Sequence, residues 1–261
     1  MNADILNRKG ATSPKDVPAD ILALIETGRI PTVNLGESMA VNNFVLLENI
    51  LRDSGMVLDI SELRNDPLNQ KLMTCYRNIG KFLLKYPQTL DVFSYHESDI
   101  ARCWACLAYG FRETDMETRL ELIKPFADDI HMGVREMAWM ALRDDIAKDV
   151  ERAVELLLPW TSSDSAYIRR CASEATRPRG VWCAHIQKLK DSPETGLAIL
   201  EPLRSDPHKY VQDSVANWLN DASKSKPEWV IGITDRWTKE SPTKETAKIC
   251  KRALRTINKK S

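Results

Sequence analysis

Leu156-Leu157-Leu158-Pro159-Trp160, followed by Ile168-Arg169-Arg170-Cys171-Ala172-Ser173-Glu174-Ala175, is the stretch that decides the fold. An apolar run closes on a proline, and nine residues later a second apolar stripe begins at Ile168. Counting from Ile168, Cys171, Ala172 and Ala175 fall at +3, +4 and +7, the spacing of one face of a 3.6-period helix. The same stripe recurs as Cys103, Trp104, Leu107 and Ala108 after Ile100, and as Met137, Ala138, Ala141 and Leu142 after Val134. It recurs again as Ser214, Val215, Trp218 and Leu219 after Val211, and as Ile249, Cys250, Ala253 and Leu254 after Thr246. Ser214 is its one polar exception. The anchors are 34, 34, 43 and 35 residues apart, and Pro125, Pro159 and Pro202 each stand nine residues before one, with Trp237 in that place in the last repeat.

A proline removes a helical N–H donor and bends or ends a helix, so each unit reads as helix A, a turn and helix B. Two-helix units of this length in tandem define an α-solenoid. The expected fold is therefore all-α, an α-α superhelix with a concave face. Residues 1–18 are expected to be a mobile tail and 19–258 one domain, with a helical cap over 19–90 and repeats over 91–258. Between Ile168 and Pro202 the repeat carries nine extra residues, placed in Thr176-Arg177-Pro178-Arg179-Gly180-Val181-Trp182 and the residues just after Trp182. Insertions in solenoids map to loops on one face, often the binding face.

The chain has 37 Lys+Arg and 37 Asp+Glu, a formal net charge of zero. That neutrality hides an asymmetry, since residues 1–164 sum to −8 and residues 165–261 to +8. The C-terminal part is the one suited to a polyanion. No G-x-x-x-x-G-K-[ST] or G-x-G-x-x-G pattern is present, so nucleotide-cofactor readings lack their phosphate cradle. No cofactor is expected. The longest nearly apolar run, Cys103 to Phe111, is too short to span a bilayer. The N-terminus has no apolar core of a secretion signal, which predicts a cytoplasmic protein with six reduced thiols. Cys103 and Cys106 have C-x-x-C spacing but lie mid-helix on the apolar stripe, as core does. His96, His131, His185 and His208 are scattered, and no metal site is predicted.

At 100° per residue the stripe centres near 10°, while Glu136, Glu174 and Asp221 fall near 200°, 240° and 280° of their helices. All three point away from the stripe, toward what would be the inner surface of the superhelix. Arg135, Arg169, Arg170, Arg177, Arg179, Lys209, Lys224, Lys226, Lys248 and Arg255 gather around them. Central carboxylates with basic flanks repel a phosphate backbone, yet suit a positively charged group carried on a polyanion. Each also has an ordinary reading: Glu174 as an i,i+4 partner of Arg170, Asp221 as a helix-end residue, Trp182 as a core plug, and Glu136 as a solvated charge.

Ser173-Glu174-Ala175-Thr176-Arg177-Pro178-Arg179-Gly180-Val181-Trp182, with Tyr210-Val211-Gln212-Asp213-Ser214-Val215-Ala216-Asn217-Trp218-Leu219-Asn220-Asp221, resembles the AlkC branch of the HEAT-like-repeat DNA alkylation-repair glycosylases. Val134-Arg135-Glu136-Met137-Ala138-Trp139, Ala253-Leu254-Arg255-Thr256, Ile25-Glu26-Thr27-Gly28 and Leu35-Gly36-Glu37-Ser38 are similar too. The resemblance implies a monomer acting on double-stranded DNA. It also implies metal-free hydrolysis of the N-glycosidic bond of cationic bases, chiefly 3-methyladenine. By position it makes Asp221 the catalytic carboxylate, with Glu174 and Glu136 contacting the lesion or its sugar and Trp182 packing on the deoxyribose. Arg177, Arg179, Arg169, Lys209 and Arg255 are the expected DNA contacts. Ala175 stands where the family often has Gly, and Gly180-Val181 where Leu-Pro is typical. No C-terminal immunoglobulin-like domain is expected, so the chain either manages without that clamp on DNA or binds more weakly. Two other uses of such a solenoid stand beside this one, a non-catalytic binder of damaged or branched DNA and a protein-interaction scaffold.

Overall fold

The structure, a computed structural model, describes residues 3–259. Its α-helices in chain order are α1 (Ala3–Leu6), α2 (Ala19–Glu26), α3 (Leu35–Ala40), α4 (Asn43–Asp53), α5 (Ser61–Asn65), α6 (Leu72–Leu84), α7 (Leu90–Ser94), α8 (Asp99–Phe111) and α9 (Met116–Ala127). They continue as α10 (Met132–Lys148), α11 (Val150–Leu157), α12 (Ala166–Ala175), α13 (Gln187–Asp191), α14 (Leu197–Leu200), α15 (Lys209–Ser223), α16 (Pro227–Glu240) and α17 (Lys244–Ala253). There is no strand among the described residues, and the five stripe segments are α8, α10, α12, α15 and α17. The fold is an all-α array of helical repeats.

Turn chemistry sets where the helices begin. Ser98, Ser165 and Thr243 accept the backbone N–H of Ala101, Tyr167 and Thr246 and open α8, α12 and α17, while His208 accepts from Tyr210 and opens α15. Such caps contribute about 1 kcal/mol each when made by Ser or Thr. The prolines act less uniformly than expected. Pro159 and Pro202 stand in short 3-10 turns (Leu158–Ser162, Glu201–Leu203), but Pro125 lies inside α9, which continues to Ala127.

The chain divides into two compact units, Met1–Thr114 with Ile130–Ala141, and Asp115–Asp129 with Leu142–Ser261. α10 gives its first part to one unit and its last part to the other. In the first unit α6 and α8 meet at Gly80, where an added Cβ would lie 3.0 Å from the Leu107 Cβ. Trp104, fully buried, stands edge-on to Tyr76. Asp99, 2% exposed, accepts from the Thr32 N–H (2.7 Å) and hydroxyl (2.8 Å), pinning the loop before α3 to the start of α8.

The segment expected to be a tail is tied to this unit. Arg8 grips buried Glu37 through two N–H groups (2.9 and 2.6 Å) and donates to the Pro31 carbonyl at 2.8 Å. Such a contact, 29 residues apart in sequence, has no local signature. Met1 and Asn2, the start of that expected tail, lie outside the described residues.

In the second unit α12, α15 and α17 pack side by side. Trp218 is fully buried and donates its indole N–H to the Thr176 carbonyl at 2.8 Å. Gly196 makes room for it, since a Cβ there would sit 2.5 Å from the Trp218 ring. All six cysteines are free thiols, with Cys103 and Cys106 buried in the core as their place on the stripe implied. Burial pushes the Cys75 thiol up to about 11. No described helix is long and apolar enough to cross a membrane.

Truncating Arg8 to Ala leaves Glu37 buried without its partner. Arg8→Ala is expected to lower stability by about 3 kcal/mol, measured by urea denaturation, and adding Glu37→Gln should recover part of that loss.

Candidate catalytic site

The site grows from the C-terminal end of α12. The helix stops after Ala175, and the insertion leaves and returns around one buried side chain. Arg143, 3% exposed, donates to the carbonyls of Ala175 (3.1 Å), Arg177 (2.9 Å) and Ala184 (2.9 Å). Burial lowers the pKa of this guanidinium from the ordinary arginine value. The Ile186 N–H closes the loop onto the Pro178 carbonyl at 3.1 Å.

With its backbone held by Arg143, Arg177 aims its side chain at two carboxylates. Its Nη1 donates to Glu174 Oε1 (2.5 Å), while Nη2 and Nε donate to Asp221 Oδ2 (2.5 and 3.0 Å). One guanidinium thus bridges α12 and α15. Burial opposes its charge, but the Glu174 and Asp221 carboxylates outweigh burial and raise its pKa above the ordinary value. The carboxylates are 4% and 3% exposed.

Their other oxygens are also engaged. Glu174 Oε2 accepts from the Ser214 hydroxyl at 2.6 Å, and Ser214 Oγ lies 2.7 Å from Ser173 Oγ. The Arg170 guanidinium stands 3.6 Å from the same oxygen and stacks over the Tyr210 ring at 4.5 Å. Asp221 Oδ1 accepts from Lys224 Nζ at 2.7 Å. Glu174 and Asp221 are therefore brought together, as a carboxylate pair compensated by arginine and lysine.

The remaining expected residues have separate fates. Glu136 belongs to the first unit, where it accepts the Trp139 indole N–H at 2.7 Å. Trp182 is the one described non-glycine residue with positive φ, at 68°, and stands 75% exposed rather than plugging the core. Such a conformation costs on the order of 1–3 kcal/mol. It follows the fold-back at Gly180, where an added Cβ would lie 2.1 Å from Cys183 Sγ.

Three of the five expected DNA contacts are used inside the protein. Arg177 forms the bridge. Arg169 pairs with Asp206 (2.6 and 3.2 Å), which raises its pKa, and also donates to the Ser163 and Asp164 carbonyls. Arg179 donates to the Asp221 carbonyl (3.3 Å) and to Ser225 Oγ (2.7 Å). Lys209 and Arg255 stay exposed, Lys209 beside Asp213 and Arg255 donating to Asn217 Oδ1 at 2.9 Å. Among the described residues no group of three or more His, Cys, Asp and Glu could hold a metal ion.

Sequence reasoning did not foresee the roles of Arg143, Ser214 and Lys224. Ser214 did leave a signal, as the single polar residue on an otherwise apolar stripe: it is buried because it donates to Glu174.

Residues 132–255, which hold the whole pair and its bridge, match the family described as DNA alkylation repair enzyme. The uncharacterized protein YhaZ of Bacillus subtilis (strain 168) is 41% identical over 120 residues, 46% of this chain and 33% of that one. Pseudomonas fluorescens alkylpurine DNA glycosylase AlkC, solved bound to DNA containing an abasic site analog, superposes with a TM-score of 0.61 at 28% identity, covering 72% of this chain and 53% of that chain. AlkD2 of Streptococcus mutans shares the fold, with a TM-score of 0.57 at 21% identity over 69% of this chain and 88% of its own. The chain spans about a third of YhaZ and about half of AlkC.

Removing the bridge strands two buried carboxylates, whereas removing the serine loses one hydrogen bond. Arg177→Ala is expected to destabilise the protein by about 3–5 kcal/mol and Ser214→Ala by about 1 kcal/mol. Chemical denaturation of the two variants checks both the order and the gap.

Proposed function

We propose that this protein is a DNA glycosylase that hydrolyses the N-glycosidic bond of cationic alkylated bases such as 3-methyladenine in double-stranded DNA. The observation that carries the reading is the buried Glu174–Arg177–Asp221 bridge, lying within the residues that match the repair family, with Arg177 in the same insertion as exposed Trp182. The match of residues 132–255 to the repair family and the likeness to AlkC support it.

The chemistry asks little acid catalysis of the enzyme. A methylated adenine carries a positive charge and leaves as a neutral base, so the C1′–N bond breaks with its electron pair passing to the base. Positive charge then develops on the sugar. A carboxylate ~4 Å from that charge offers ~4 kcal/mol at an effective dielectric of 20, which is about three powers of ten in rate. Asp221 is assigned this role. Water adds its oxygen to C1′ and gives its proton to the carboxylate. Glu174, through Arg177, holds Asp221 in position. Trp182 packs on the sugar with its ring face toward the cation. Lys209 and Arg255 are the phosphate contacts that remain exposed, and their contribution falls with salt.

A second reading follows from the engagement of both Asp221 oxygens, by Arg177 and by Lys224. A carboxylate so compensated suits a protein that binds cationic lesions without cutting. Incubation with dimethyl-sulfate-treated DNA and chromatography of the freed bases separates the two. The glycosylase reading expects 3-methyladenine release, reduced ~10³-fold in Asp221→Asn with folding and DNA binding intact. Tight binding with no base release by the wild type, or undiminished release by Asp221→Asn, would overturn the assignment.

A further inference from the structure

We infer that Lys224 is a displaceable counter-cation on Asp221, exchanged for a positively charged substrate group, and that this exchange sets the site's preference for cationic over neutral nucleotides. The inference rests on the reading of Asp221 as the carboxylate that faces the substrate.

Asp221 holds two cations in different ways. On Oδ2, Arg177 makes two hydrogen bonds, and its side chain, 13% exposed, is anchored at the far end by Glu174. On Oδ1, Lys224 makes one, at 2.7 Å, and its side chain is 41% exposed. Among the described residues Asp221 is the partner of that ammonium. A bidentate guanidinium in a fixed fork is hard to dislodge, whereas an ammonium on a flexible four-carbon stem is not. Any cation reaching Asp221 therefore does so by taking the Lys224 place.

The position of Lys224 eases its release. It is the C-cap of α15, where the unpaired carbonyls of the last turn favour positive charge. An ammonium let go by Asp221 is thus still held near the helix end and still faces solvent. A neutral nucleotide brings nothing to replace it, so Asp221 keeps its lysine. A cationic nucleotide restores the charge balance around the pair, with Arg177 left in place. Lys224 acts through Asp221 and is a positioning residue.

The test compares the full chain with its Lys224→Met and Lys224→Arg variants on two duplexes that differ at one abasic position. One carries a cationic pyrrolidine and the other a neutral tetrahydrofuran. The measured quantity is the ratio of the two affinities at fixed salt. Wild type should favour the pyrrolidine. Lys224→Met should raise that ratio about twofold to fivefold, the span expected for loss of a solvent-accessible ion pair, and Lys224→Arg should leave it at or below the wild-type value. A ratio in Lys224→Met that is unchanged or lower overturns the inference, as does an equal loss of affinity for both duplexes, which marks a plain phosphate contact. If wild type releases methylated base while the ratio does not move, only this inference fails. If wild type binds neither duplex, the functional reading fails with it. Thermal unfolding of each variant verifies that it folds.

Discussion

One guanidinium determines what the rest of the second unit can be. Two carboxylates 47 residues apart in sequence are both nearly removed from water, and such burial is costly without a cation within hydrogen-bond reach. Arg177 reaches both because its backbone leaves α12 at a fixed point, and that point is fixed by Arg143 on three carbonyls. Ser214 and Lys224 fill the remaining lone pairs. The packing of α12 on α15 and the electrostatics of the site are therefore one arrangement, since loosening either would expose the other.

The repeat frame makes this possible by handling stability elsewhere. In the second unit the apolar side chains of α12, α15 and α17 meet around fully buried Trp218, whose indole N–H also ties down the start of the insertion at Thr176. With the core so satisfied, the polar ends of the same helices are left to hold charged groups that contribute little to folding on their own. The first unit uses buried ions differently: Glu37 with Arg8, and Asp99 with Thr32, fasten loops rather than join two helices.

Much of this was legible in the sequence, and the parts that were not share a cause. Periodicity is a local signal, so the stripes at Ile100, Val134, Ile168, Val211 and Thr246 identified the five helices, and the irregular 43-residue spacing identified the insertion. Helical angle also placed Glu174 and Asp221 off the apolar stripe. Which side chain answers which charge is not local. Arg177 and Arg169 are arginines in a basic segment, and only the fold turns them inward to Asp221 and Asp206. Arg8 belongs with them, a charged residue near a terminus whose sequence neighbours give no sign of the partner 29 residues away. The break between the two units was hidden for the opposite reason: the α10 pattern runs on unbroken through it.

The stem of the insertion has a consequence for how such a protein can change. Because Arg143 and the Pro178–Ile186 contact clamp the ends of the loop, a change in the length of the exposed stretch between them is held away from the helices that flank it. Closing a longer loop on pinned ends costs only a slowly growing entropy. Length can therefore vary in the exposed part of the insertion around Val181 while the charged bridge beneath it stays constant, although Gly180 itself has no room for a side chain.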